Sequence, residues 1–276
     1  MAGRTSKTGG RGTAMARPYD LQRAVDFRLL FARRQSAEVR PVPGGFLVRH
    51  DAYVRSHEHN EIHIDGPVEP TELPAVADAA MAELPHRRIT VHDDRLGLAC
   101  APALTLAGYE HGVELVMTYT GPVAAAGRGE VVELDLGPDP YGPLWRALAN
   151  QQRLWMPDAD EETVRQMVGR RAARRNGAED VRFLAVHDED GEVASWADLY
   201  MEPADGVAQI EEVVTAEHAR RRGYADAVLS GALQRAAAAG CALRFLVADG
   251  EDWPRHWYAR RGFTTVGRAH VFSRFS

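Results

Sequence analysis

The segment "ALRFLVA" (residues 242–248) is apolar at every position but one, the pattern of a strand buried on both faces of its sheet. Such a strand needs helices above and below it and a parallel neighbour. The residues just before it supply both. Ala225, Val228, Leu229, Ala232, Leu233 and Ala236 recur at helical spacing until Gly240 closes the helix, and ahead of that helix lies the strand "QIEEVVT". A strand–helix–strand unit of this kind makes the chain an α/β protein with a mixed sheet.

The remainder of the second half extends the pattern. "VVELDL" reads as a strand, and "YGPLWRALANQQRLW" and "DADEETVRQMVGRRAARR" as helices. The second of these opens on acidic residues, with Asp158 or Asp160 as the cap, and closes on arginines, as the helix dipole favours. "RFLAVHD", "EVASWADLYM" and "AQIEEVVT" are joined by short turns and form an antiparallel meander. After "ALRFLVA" come a short helix ending in "WYARRGF" and a final hairpin in "TTVGRAHVFSRF".

The first half is also mixed. It contains a helix from Leu21 to Arg33, a break at "PVPGG", the strands "FLVRH" and "EIHID", and a helix with Leu73, Val76, Ala77, Ala80 and Leu84 on one face. The strand "RRITV", a short helix "APALTLAG" closed by Gly108 and the strand "VELVMTY" complete it. This ending parallels "LRFLVAD", a helix and "ARRGFTTVGRAHVF" in the second half, down to a glycine–aromatic pair.

At 276 residues the chain has room for two domains. The expected division is a disordered basic leader over 1–15, with Met15 as a second start, a first domain over 16–122, a Gly/Ala linker over 123–129 and a second domain over 130–276. Hydrophobic content of 45% excludes a disordered protein, and a net charge of −6 repels phosphate backbones. Cys100 and Cys241 have no partner spacing and read as buried thiols of a reducing cytoplasm. No secretory leader or membrane span is legible, so the expected setting is cytoplasmic, with no membrane partner.

"HARRRGYADAV" (residues 218–228) places three arginines in a loop between a strand and the first turn of a helix. Backbone N–H groups there have no intrahelical partner, and Gly223 lets the chain come close to a ligand. The physical reading is a pyrophosphate cradle; a solvated basic face and a nucleic-acid contact are the alternatives. Against the last, the aromatic residues that would interleave a nucleic-acid surface are missing.

Arg220-x-x-Gly223-x-Ala225 after a strand, followed by Tyr258-Ala-Arg-Arg-Gly262-Phe263 ahead of the last strands, resembles the GNAT superfamily of acyl-CoA-dependent N-acetyltransferases. The order of elements from about residue 130 to the end matches that family. The motif ends on Ala225 rather than glycine, and Glu217 stands where the family often has proline.

The resemblance implies acetyl-CoA as cosubstrate. It assigns main-chain contacts with the acetyl and pantetheine arm to Val213, Val214 and Thr215, and the pyrophosphate to Arg220, Arg221, Arg222, Gly223, Tyr224, Ala225 and Asp226. It makes Tyr258 the acid that protonates the departing thiolate, the alternative being a tyrosine that only packs beside Trp257. It places the base at Glu211 or Glu212, of which alternation lets only one face the site. The first half lacks the cradle motif and resembles the degenerate partner in tandem GNAT proteins, with Tyr109 after Gly108 a structural echo.

In "HEHNEIH", His57, His59, Glu61 and His63 could ligate a metal, but the spacing is not that of a zinc motif, and a polar loop entering a strand accounts for it. No metal is therefore expected. The expected activity is acetyl transfer to a primary amine by direct attack in a ternary complex, the alternative being a non-catalytic acyl-CoA-binding module acting through a protein partner. The acceptor is not legible, no nucleic-acid partner is expected, and a homodimer is compatible with the sequence.

Overall fold

The computed structural model describes residues 12–122, 127–135 and 142–275. The first half runs α1 (Gly12–Gln35), β1 (Glu38–Val42), β2 (Gly45–Arg49), β3 (Glu61–Ile64), α2 (Leu73–Ala80), β4 (His86–Val91), α3 (Asp94–Leu106) and β5 (Glu110–Tyr119). The second half runs β6 (Val131–Glu133), α4 (Pro143–Trp155), α5 (Glu161–Gly169), α6 (Arg171–Arg174), β7 (Asp180–His187), β8 (Val193–Glu202), β9 (Val207–Thr215), α7 (Tyr224–Ala238), β10 (Leu243–Asp249), α8 (Pro254–Ala259) and β11 (Phe263–Phe275).

All the described strands belong to one sheet, in the order β1-β2-β3-β4-β11-β5-β10-β9-β8-β7-β6. Each half ends in the same strand–helix–strand unit, β4-α3-β5 and β10-α8-β11. Each final strand, however, lies beside the other half's penultimate strand, β5 on β10 and β11 on β4. The two final strands then pair antiparallel with each other, from Glu110↔Ser273 to Tyr119↔Phe263. The halves are thereby interlocked. Met117 and Tyr119 of the first half sit in the core around α7, while Phe272 of the second sits in the core around α2 and α3.

This exchange corrects the expected final hairpin. "TTVGRAHVFSRF" is a single strand with a bulge between Thr265 and Gly267, because the place a hairpin partner would take is filled by β5. Gly267 is there for clearance, not for a turn. A Cβ on it would lie 2.4 Å from Leu21 of α1, so glycine lets α1 cross the sheet face. The helix α1 covers both halves, packing Phe27 and Phe31 against Tyr200 and Phe245 on one side and Leu29 and Ala32 against Phe46 and Val48 on the other.

Other boundaries also differ. The helix α1 starts at Gly12, so residues 12–15 of the expected leader are helical, and the rest of the leader lies outside the described residues. The chain running into "PVPGG" forms β1, which ends on its first two residues; Pro41 is accommodated because β1 is the edge strand, while Gly44 makes the turn at φ +77°. Residues 123–126 of the expected linker are likewise outside the described residues. The helix α3 begins about two turns earlier than its apolar run, at a cap where Asp93 accepts a hydrogen bond from the Leu96 N–H at 2.8 Å. Asp160 caps α5 in the same way, accepting from the Thr163 N–H at 2.7 Å.

The expected arginine-tipped helix is broken at Gly169 into α5 and α6. Its arginines do not decorate a solvated helix end. Arg170, Arg171 and Arg174 are buried beneath the sheet, where they pair with carboxylates of both halves.

Candidate active site

The strands β9 and β10 run parallel only from Val207↔Leu243 to Ile210↔Leu246. Beyond that point β10 stays with β5 as far as Asp249, and β9 stays with β8 as far as Thr215. Their separation leaves residues 211–215 without a strand partner on the β10 side. The cause is local. The β8–β9 register shifts between Trp196 and Asp198, and Glu212 adopts φ 51°, so the strand kinks at a bulge.

On one side of this opening lies a cavity of 640 Å³ lined by Val213, Val214, Thr215, Gly223, Ala225 and Tyr258, with Trp155 of α4 and Trp253 and Trp257 at its walls. Its far end is the start of α7. Gly223 has φ +87° and Arg221 φ +60°, which curls the backbone so that the N–H groups of the first helical turn face the cavity. A Cβ on Gly223 would meet only Arg128, at 3.7 Å, so the positive φ rather than crowding is what favours glycine there. Such a curl at a helix N-terminus holds an anion.

The side chains of the motif divide. Arg220 and Arg221 line the cavity and Arg222 does not. Tyr224 is buried in the core and can offer a ligand only its backbone. Asp226 pairs with Arg261.

Tyr258 lies at the end of α8, nine-tenths buried, with its ring 5.7 Å from that of Phe263. Gly262, at φ +96°, turns the chain between them, which is the physical reason for a glycine–phenylalanine pair at this spacing. Burial, with the nearby charge of Glu211 adding to it, raises the Tyr258 phenol well above its usual value. The phenol stays protonated and able to donate. In the first half Gly108, at φ +84°, makes the equivalent turn, and Tyr109 is buried among apolar residues around Cys100 and Leu104.

On the opposite side of the opening, under α1, is a second cavity of 510 Å³ between the halves. Glu211 lines it, where burial raises the carboxyl to about 7. Glu61 of β3 lines it as well and is also raised to about 7, burial outweighing the attraction of Arg88.

Glu212 has a different environment. Arg170, Arg171 and Arg174 approach it at 2.8, 2.6 and 3.0 Å, and against the effect of burial they hold its carboxyl well below the usual range. A carboxylate held this firmly in its ionised form is a poor proton acceptor, so of the two glutamates only Glu211 has the electrostatics of a base. The same arginines bind Asp198, with Arg174 at 2.8 Å, and Glu58 of the first half, with Arg170 at 3.2 Å.

Glu58 belongs to "HEHNEIH", of which Glu61 and His63 stay within 3.4 Å of each other and line the same cavity as Glu58, while His59 turns away to Ser56. His59 bonds Ser56 at 3.0 Å, His63 bonds His92 at 3.1 Å, and Glu61 accepts from Arg88 and Thr90 at 3.0 and 2.9 Å. Sequence reasoning missed this cluster because its arginines resemble a helix end, and it missed Gln151 and Trp155 of the first cavity because they sit in an ordinary amphipathic helix. The pattern of three arginines within five residues was the available signal.

Residues 145–263, from α4 to the first residue of β11, match the model of the Acetyltransferase (GNAT) family, and this half of the chain is a GNAT domain. No curated protein matches the sequence.

Among solved structures, a GCN5-related N-acetyltransferase from Kribbella flavida superposes with a TM-score of 0.61 at 18% identity, covering 91% of this chain and 94% of that one. A conserved protein of unknown function from Staphylococcus epidermidis gives 0.61 at 11% identity, covering 87% and 94%. A tandem GNAT protein from the clavulanic acid biosynthesis pathway gives 0.52 at 14% identity, covering 94% and 95%. The fold is thus the mixed α/β fold of tandem GNAT proteins. Among the described residues no helix is long and apolar enough to cross a membrane.

Proposed function

We propose that the protein transfers an acetyl group from acetyl-CoA to a primary amine, with the cofactor in the cavity at α7 and the acceptor in the cavity between the halves. The observation that carries this reading is the opening between β9 and β10, which has an anion cradle on one side and Glu211 on the other. The pyrophosphate lies on the backbone from Arg221 to Asp226, with Arg220 and Arg221 beside it. The pantetheine arm pairs with the free backbone of Val213, Val214 and Thr215.

The amine arrives as an ammonium and gives a proton to Glu211. Its nitrogen then attacks the thioester carbonyl, forming the C–N bond, and collapse of the tetrahedral adduct breaks the C–S bond. Tyr258 donates its proton to the leaving sulfur and is restored by the proton that the new amide nitrogen sheds. A carboxyl titrating near 7 and a phenol held protonated are matched to these two tasks.

Calorimetric titration of acetyl-CoA, followed by an amine screen reading free thiol release, tests the proposal. Binding with turnover supports it; binding without turnover of any amine returns the protein to a non-catalytic acyl-CoA-binding module.

A further inference from the structure

Three guanidiniums line the cavity between the halves, and each has its own carboxylate there: Arg28 meets Glu114 at 2.6 Å, Arg88 meets Glu61 at 3.0 Å and Arg174 meets Glu58 at 3.3 Å. Glu211, Asp249 and Glu110 line the same cavity and form no ion pair with any described residue. The wall therefore carries an excess of negative charge with no cationic partner among the described residues, Glu211 accepting only from the Gln209 amide and Asp249 from the Glu251 N–H.

A second observation points to a missing occupant. Gln35 of α1, nine-tenths buried, lines the cavity, and its Oε1 accepts no hydrogen bond. A buried amide oxygen left in this state is costly unless a ligand donates to it.

Geometry orders the two carboxylates on β9 and β10. The pairing of the two strands ends at Ile210↔Leu246; carried on by one residue it would set Glu211 beside Val247, two residues before Asp249 on the neighbouring strand. At the spacings of a sheet their Cα atoms stand roughly 8 Å apart, and more where the strands diverge. Both side chains face α1.

We infer that the acceptor is a short diamine or a molecule carrying two amino groups at that spacing, with its reacting nitrogen at Glu211, its second ammonium at Asp249, and Gln35 accepting from an N–H between them. This rests on the transferase reading for the role of Glu211. The cation site itself can be measured without chemistry.

The test is calorimetric titration of 1,5-diaminopentane and of pentylamine into the protein saturated with free CoA, for the wild type and for Asp249→Asn. The asparagine keeps an oxygen for the hydrogen bond that Asp249 accepts from the Glu251 N–H at 2.7 Å. The diamine is expected to bind about tenfold more tightly than the monoamine, and Asp249→Asn to shrink that ratio about fivefold. Equal affinity for the two amines, or a ratio that Asp249→Asn leaves unmoved, overturns the inference. Diamine binding with no acetylation of any amine by acetyl-CoA would keep the cation site and sink the transferase reading, whereas acetylation of both amines with equal kcat/KM would do the reverse.

Discussion

Replacing Glu211 by glutamine separates folding from chemistry. Burial moves this carboxyl from 4.5 to about 7, so above pH 7 the folded protein must hold a charge in a place that disfavours it, and the unfolded chain need not. That interval corresponds to about 3 kcal/mol, and because the cavity admits water to the side chain, roughly 1–2 kcal/mol is the reasoned expectation.

The sign follows from the direction of the displacement. The contribution to stability is fully present below pH 4.5, where the group is neutral in both states, and is lost as pH rises through about 7. The glutamine variant carries no such loss. Denaturant midpoints of the two proteins at pH 5 and pH 8 should therefore show the variant gaining roughly 1–2 kcal/mol on the wild type between the two conditions. Over the same range its turnover should fall about 100-fold or more, since it lacks the base. A stability difference identical at the two pH values would refute the burial argument, and full activity in the variant would refute the assignment of the base.

Gly223→Glu puts a charged side chain on a residue at φ +87° beside the cradle, so acetyl-CoA affinity should drop at least about tenfold by calorimetry. Tyr258→Phe removes only the donated proton and should lower kcat about 100-fold while the Kd for acetyl-CoA stays within about twofold; unchanged kcat would remove Tyr258 from the mechanism. Glu212→Gln leaves the arginines of the buried cluster short of one charge and should destabilise the fold by about 3 kcal/mol in denaturant unfolding. A loss below about 1 kcal/mol would show that the cluster is solvated and weak. In the wild type, kcat should fall as pH drops below about 7, following Glu211, and an acidic limb near the ordinary carboxylate value would point to another group.

Local rules made several parts legible in the chain itself. The β9–α7–β10 unit follows from helical spacing ended by Gly240 and from one doubly apolar strand, and both are properties of adjacent residues. The open backbone at the start of α7 was readable for the same reason: a positive φ at Gly223 and unpaired N–H groups at a helix start are set within a few residues. The glycine turns at Gly108 and Gly262 belong to this class, and the helix cap was narrowed to Asp158 or Asp160, of which the structure uses Asp160.

Long-range packing decided the rest. Nothing local distinguishes Gly267 under a crossing helix from Gly267 in a hairpin turn, so only the tertiary fold showed that β5 and β11 exchange places. Arg170, Arg171 and Arg174 carry the signature of a helix end, and their burial follows from Asp198, Glu212 and Glu58, which are distant in sequence. The same holds for the two adjacent glutamates. Sequence alternation allows one of them to face the cavity under α1, but which one depends on a bulge at Glu212 and on where three guanidiniums lie, because a carboxyl's proton affinity is set by everything packed around it.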